Sequence, residues 1–325
     1  MIDVGIGLGD AGVIALHAVI VVVSFLVLAL VAGQTEHKLM AHMQGRLGPM
    51  YAGGFHGWAQ LVADALKFAQ KEAVLPTAVD VPVFQLAPAV AMIPYMIAMS
   101  VIPLSPSIVG ADLDSGLFFV LAISAVGVLG TLMAGWASAN KYALLGAMRS
   151  AGQLLAYELP IVLAAASVAM AAGTLSLSGI VKAWEPWWIL AQLPGLVAFF
   201  IGGMAEIQRP PFDMPVADSE IVVGPYTEYS GMRFALFLFA EYAGMVVLSG
   251  MTAVLYFGGW QGPGPEALAP FWTLAKVGVL VMVIIWFRVS WPRMREDQLQ
   301  RLAWGGLVPL ALVQLGITSI LTVLL

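Results

Sequence analysis

Apolar residues gather in long runs along this chain, and polar ones are confined to the stretches between them. Eight windows are long and apolar enough to cross a bilayer as helices, at about 11–33, 83–104, 117–137, 153–173, 188–208, 233–258, 270–290 and 303–325. The pattern therefore predicts an all-α, polytopic integral membrane protein. The first window lies behind Asp3 and Asp10, lacks a basic leading segment and runs into Gly33-Gln34-Thr35-Glu36, so a permanent helix is expected rather than a cleavable signal.

A different pattern fills the gap after the first window. Within Gly57–Glu72, Trp58, Leu61, Val62, Ala65, Phe68 and Ala69 recur at helical spacing, while Gln60, Asp64, Lys67 and Lys71 fall opposite. An amphipathic helix at the membrane surface is expected there, inside a loop of about residues 34–82. A second polar segment, about 209–232, opens on Pro210-Pro211 and holds Pro215 and Pro225, so its backbone is expected to be irregular. No tandem repeat or low-complexity linker divides the chain, and residues 1–325 read as one integral membrane domain.

Composition agrees: 61% of the 325 residues are apolar and only 10% charged, far from the balance of a soluble domain. Of the 14 basic residues, Lys38, Arg46, Lys67, Lys71, Lys141, Arg149, Arg209, Arg233, Arg288, Arg293, Arg295 and Arg301 fall on one face of this topology. The positive-inside rule makes that face the inner one and puts both termini outside. Lys182 alone lies in an opposite loop. Lys276, inside the seventh window, is expected to snorkel to the outer interface. The net charge of −5 leaves no basic footprint for nucleic acid. With no cysteine the chain can hold neither a thiolate-ligated iron–sulfur cluster nor a disulfide. Among His17, His37, His42 and His56 only His17 falls in a span, so no bound haem or other metal is expected.

Against this background the carboxylates stand out. Ala205–Tyr242 carries Glu206, Asp213, Asp218, Glu220, Glu228 and Glu241 against only Arg209 and Arg233. A charge at the centre of a bilayer costs roughly 2.5–3.5 kcal/mol. Glu158 lies inside the fourth window, Glu206 at the inner end of the fifth and Glu241 inside the sixth. Burial and mutual repulsion disfavour a carboxylate's charged form, the condition under which a side chain takes up and releases protons. A solvated acidic face, or pairing with arginine, is the plainer alternative.

Three long motifs, GWASANKYALLGAMRSAGQLLAYE (Gly135–Glu158), AEIQRPPFD…SE…EYSGMRFALFLFAEY (Ala205–Tyr242) and FRVSWPRMREDQL (Phe287–Leu299), resemble the H subunit of respiratory complex I, the mitochondrial subunit 1 family. Glu36, Arg46-Leu47-Gly48-Pro49 and DALKFAQKE fit the same family. The chain departs from it with Glu36-His37-Lys38 for the usual Glu-Arg-Lys, Gln208 for Asn, and Pro215-Val216-Ala217-Asp218-Ser219-Glu220 for the usual PEAESE.

The resemblance implies a subunit that forms the membrane end of a quinone chamber and links quinone reduction to proton translocation, without a redox centre of its own. On that reading Glu158, Glu206, Asp213, Asp218, Glu220, Glu228 and Glu241 form a proton relay. Glu36, His37, Arg46, Trp58, Lys67, Phe68, Arg209 and Arg233 line or guide the chamber, where an apolar tail needs a greasy wall and a headgroup needs polar groups. Arg293, Arg295 and Asp297 offer a docking surface. The implied substrate is quinone, ubiquinone or menaquinone, with no covalent cofactor. The implied partners are soluble quinone-site subunits and antiporter-like membrane subunits in a bacterial plasma membrane. Membrane-bound hydrogenases and donor-variant complexes lacking the NADH module carry a homologous subunit, so the same residues also allow that assignment.

Overall fold

The computed structural model describes residues 8–324; several side chains in the first half of α1, that of His17 among them, and the side chain of Asp218 lie outside the described residues. Every regular element in that range is helical. The long helices are α1 (Leu8–Met43), α3 (Val81–Val101), α4 (Gly116–Ala137), α5 (Lys141–Ala172), α10 (Gly231–Tyr256), α11 (Ala269–Ser290) and α13 (Val308–Leu324). The short ones are α2 (Gln60–Gln70), α6 (Leu177–Ala183), α7 (Trp188–Ala191), α8 (Leu193–Glu206), α9 (Asp218–Ile221) and α12 (Glu296–Leu302).

Six helices among the described residues are long and apolar enough to cross a membrane: α3, α4, α5, α10, α11 with the turn before it, and α12 running through a π-turn at Ala303–Leu307 into α13. The protein is a multi-pass membrane protein. α1 contains the first predicted window and runs beyond it, while the fifth window takes another form. α1 has 36 residues, about 54 Å at about 1.5 Å per residue. α8 has 14, about 21 Å, short of a hydrocarbon core of about 30 Å. Gln192 separates α8, which carries Pro194 in its first turn, from the single turn of α7.

Two boundaries differ from the sequence reading for one physical reason. α1 runs on to Met43, so residues 34–43 are helix rather than loop, and α5 starts at Lys141, well before its apolar window. In both places key polar side chains, Glu36 of α1 and Ser150 and Gln153 of α5, face protein instead of lipid, and hydropathy cannot see helix whose polar groups are met internally. Asn140 caps α5, its Oδ1 accepting from Tyr142 N at 2.8 Å, and Gly173 ends it in the left-handed conformation.

Close backbone approach sets the packing. A Cβ on Gly130 of α4 would stand 2.4 Å from Ala91 N of α3, so only glycine lets these helices meet as they do. α5 packs against α4, α8 and α13, and Tyr157, Phe199, Met204, Phe212 and Tyr256 are all buried around it. The acidic segment after α8 is pinned to α5. Gln153 Nε2 donates to Ala205 O (2.6 Å) and Phe212 O (2.9 Å), and Gly146 leaves room for Pro215 O, which a Cβ there would meet at 2.6 Å.

The surface helix forms as the spacing predicts, but it starts at Gln60. Trp58 lies in the turn before it, exposed, its indole N–H on Gly53 O at 2.8 Å. On the apolar face of α2, Leu61 comes against Gly33 of α1, and Phe68 meets Phe234 of α10 with ring centroids 6.1 Å apart. Lys276 ends on protein carbonyls at the end of the bundle away from the relay carboxylates. Its Nζ donates to Phe257 O (2.7 Å), Gly259 O (2.7 Å) and Gln261 O (2.6 Å), the carbonyls of the turn that follows α10.

Candidate functional site

Arg209, just beyond the end of α8, is 1% exposed and is always cationic. A buried charge must be paired, and this one is shared between two carboxylates. Nη1 donates to Glu36 Oε2 at 2.5 Å, and Nε lies 2.6 Å from Glu241 Oε1, an ion-pair contact without hydrogen-bond alignment. Its guanidinium also lies 4.8 Å from the Tyr242 ring centroid, within cation–π range. Glu36 is equally buried, and its other oxygen accepts from Arg288 of α11. Two positive and two negative groups thus tie α1, the end of α8, α10 and α11 together. Mutual repulsion was the expected environment of Glu241; the structure gives it a cation instead.

Glu206, at the last residue of α8, is the hinge of a second group. Its Oε1 accepts from Ser124 Oγ of α4 at 2.8 Å. It lines a cavity of about 330 Å³ together with Asp213, Glu241, Arg288, Tyr95 and Tyr226. On its other side it lines a second cavity of about 220 Å³ with Glu158, Phe118 and Val162. Glu158 itself is on the exposed edge of α5. Tyr226 shares a hydrogen bond with Thr131 at 3.2 Å, and burial pushes its phenol well above the usual range, so it keeps its proton.

The other loop carboxylates stand apart from this centre. Glu228 accepts from Asn140 Nδ2 at 2.6 Å, which anchors the loop to the start of α5. Glu220 is half exposed and clasped by Arg149 (2.7 Å) and Arg293 (2.8 Å); the Arg149 hydrogen bond, then the charge of Arg293, hold its carboxyl below the ordinary value. Asp213 faces the larger cavity, and the side chain of Asp218 lies outside the described residues.

The predicted chamber residues scatter more widely. His37 is half-buried one position along from Glu36, Arg46 is exposed with Nε on Gln44 Oε1 at 2.8 Å, and Lys67 is exposed 3.5 Å from Asp64. Arg233 makes no ion pair among the described residues. It lies 6.0 Å from the Phe84 ring, with Nη1 buried and lacking a hydrogen-bond partner among them. Of the docking residues, Arg293 is engaged by Glu220, and Arg295 grips Asp297 at 2.5 and 2.9 Å, holding that carboxyl down to about 2. Among the described residues no group of three or more His, Cys, Asp or Glu side chains could hold a metal ion.

Sequence reasoning missed Arg288 and Ser124. Arg288 was legible only as one more basic residue at an inner helix end, and nothing in the sequence set it level with Glu36. Ser124 carries no signal in a helix as apolar as α4.

Fold and site together define a multi-pass helical membrane protein organised around buried, paired charges next to polar cavities. Residues 16–319 match the model of the NADH dehydrogenase family. The chain is 42% identical over 315 residues to the NADH-quinone oxidoreductase H subunit of Bacillus cytotoxicus, covering 95% of this chain and 92% of that protein. It is 40% identical over 316 residues to the corresponding H subunit of a Geobacillus species, with the same coverage. The chain belongs to this family, that of the NADH-quinone oxidoreductase H subunits.

Proposed function

We propose that this chain forms the membrane part of the quinone chamber in an NADH-quinone oxidoreductase of a bacterial plasma membrane, and that its carboxylates couple quinone reduction to proton translocation. The observation that carries the reading is the position of Glu206 on both cavities, with Glu241 and Asp213 on one side and Glu158 on the other. A carboxyl so placed can take a proton from one compartment and pass it to the next through water in roomy polar cavities.

The mechanism is electrostatic. Arg209 divides its charge between Glu36 and Glu241, so a change in charge near Glu36 alters how firmly Glu241 is held. Quinone enters along the wall that α2 makes with α1 and α10, past Phe68 and Phe234, and its reduction supplies that change. A weakened hold on Arg209 favours protonation of Glu241, and the proton moves by way of Asp213 and Glu206 to Glu158, at the edge where an antiporter-like membrane subunit packs. Glu220 and Glu228 fasten the loop that carries the relay. Soluble quinone-site subunits dock on the basic inner face around Arg149, Arg293 and Arg295. Residues 1–325 act as one membrane domain with both termini outside.

The test is the assembled complex in vesicles, with quinone reduction and proton uptake measured together for Glu158→Gln and Glu241→Gln. The proposal requires pumping to fall by more than about tenfold, the scale of a lost proton-transfer group. Unchanged pumping and turnover in both variants would reduce the chain to a structural anchor.

A further inference from the structure

At the end of the bundle opposite the carboxylates, a cavity of about 780 Å³ opens between the last turn of α5, the corner formed by α6 and α7, and α13. It owes nothing to the proton relay. Its walls are apolar, with Ala172, Trp188 and Leu321 among them, while its floor is polar: Gln192 and Thr318, 5% and 2% exposed. The floor is short of hydrogen bonds. Gln192 Oε1 accepts from Ser167 Oγ (3.1 Å) and Gln314 Nε2 (2.9 Å), but Gln192 Nε2 reaches Thr318 Oγ1 only at 3.5 Å, the long end of the hydrogen-bond range. A buried polar group that is poorly met is costly, so the Gln192 amide N–H suits the floor to a ligand bearing acceptor oxygens.

The mouth carries a carboxylate, and a lysine lies close to it along the chain. The Glu185 carboxylate is held by Trp187 Nε1 at 2.5 Å, and the Trp187 ring is 43% exposed. Three positions earlier, on the last turn of α6, Lys182 is exposed and has no ion-pair partner among the described residues. It is also the one basic residue that the topology puts in a loop at this end. Next in the chain to the lining residues Ala191, Leu321 and Thr322, Leu190, Ile320 and Val323 are exposed, as on a surface that meets hydrocarbon.

We infer that this cavity is a binding site for a zwitterionic phospholipid with a primary-amine headgroup, of the phosphatidylethanolamine kind. The ammonium donates to Glu185 and lies against Trp187, where carboxylate and indole both favour a cation. The phosphate meets Lys182, the ester oxygens take the Gln192 amide N–H, and an acyl chain follows Leu321 along α13. Glu185 disfavours an anionic headgroup such as phosphatidylglycerol, and a quaternary choline has no N–H to give the carboxylate.

The experiment uses the full chain purified in mild detergent with the subunits that accompany it. It is delipidated, then offered phosphatidylethanolamine, phosphatidylcholine, phosphatidylglycerol or the soluble headgroup glycerophosphoethanolamine, and retention is read by native mass spectrometry. Phosphatidylethanolamine is expected to be retained over the other three. Glu185→Gln is expected to lower its retention about three- to fivefold, the worth of one exposed ion-pair or cation–π contact, with the unfolding midpoint of the delipidated protein unchanged. Equal retention of phosphatidylethanolamine and either other lipid would overturn the assignment, as would binding of the soluble headgroup alone or an unaffected Glu185→Gln. So would a photo-crosslinking amino acid in place of Leu321 that captures a neighbouring subunit instead of lipid.

Discussion

Glu36 and Arg209 are 173 residues apart in the chain and meet at 2.5 Å, each 1% exposed. Removing one member of a buried pair leaves the other's charge uncompensated and costs about 3–5 kcal/mol. Arg209→Met, which takes from Glu241 its one ion-pair partner among the described residues and leaves Glu36 with Arg288 alone, is expected to cost that much. Glu36→Gln should cost less, because Arg209 keeps Glu241 and Arg288 is partly open to solvent. The double variant should lose less than the sum of the two, by about 0.5–3 kcal/mol. Unfolding midpoints of the three proteins in one detergent measure this, and strict additivity would mean the two residues do not act as a pair.

Glu206→Gln separates geometry from proton transfer. The amide oxygen still accepts from Ser124 Oγ, so the helix end keeps its contact with α4 while the titratable group is gone. Quinone reduction is expected to persist within about threefold while proton uptake in vesicles falls by about tenfold or more. Ser124→Ala removes one hydrogen bond, worth about 0.5–1.5 kcal/mol, and should leave most pumping in place. If Ser124→Ala abolished pumping as fully as Glu206→Gln, the hydroxyl and not the carboxyl would be the essential carrier.

These two sites also mark how far the sequence could be read. Hydropathy locates a helix by the solvent its side chains face, so α3, α4, α10 and α11 lay close to their predicted windows. It failed where polar side chains are covered by protein. The turns of α1 carrying Glu36 read as loop because nothing in sequence showed that Arg209 and Arg288 would meet that carboxylate. The carboxylates were conspicuous because charge is rare in such a chain, whereas their partners were not. Arg288 looked like topology, and Ser124 like helix filling. Which carboxyls share a cavity depends on how α4, α5 and α8 pack, and that depends on contacts such as Gly130 against Ala91 that no single-residue signal gives.

The clasp on Glu220 has a defined pH dependence. Its carboxyl is held below the ordinary value of 4.5, by the Arg149 hydrogen bond first. A depressed folded value stabilises the fold fully above the unfolded one, and the contribution is lost as pH falls through the folded one. Hydrogen exchange of residues 218–224, corrected for intrinsic rates, is therefore expected to show constant protection from neutral pH down to about 5 and a loss only below about 4. In Glu220→Gln the low-pH loss should vanish and protection be lower throughout. A transition near neutral pH in the native protein would point to a group other than Glu220.

Lys276 supplies the last prediction, because its surroundings are so simple. All three of its ammonium protons go to backbone carbonyls of one turn, those of Phe257, Gly259 and Gln261. The same turn is held by Trp184 Nε1 on Tyr256 O (3.1 Å) and Gln261 Nε2 on Val181 O. Lys276→Met keeps the apolar stem but withdraws every donor from three converging oxygens. Hydrogen bonds to a charged group contribute about 1.5–3 kcal/mol, so a drop of that order in unfolding free energy is expected. Quinone reduction and pumping, measured below the unfolding midpoint, should stay near those of the native protein, since the carboxylates are at the other end of the bundle. Small alkylammonium ions, which can enter the emptied cage, should restore part of the lost stability in the variant and leave the native protein unchanged. Loss of pumping in a fully folded Lys276→Met protein would instead make Lys276 part of the proton path.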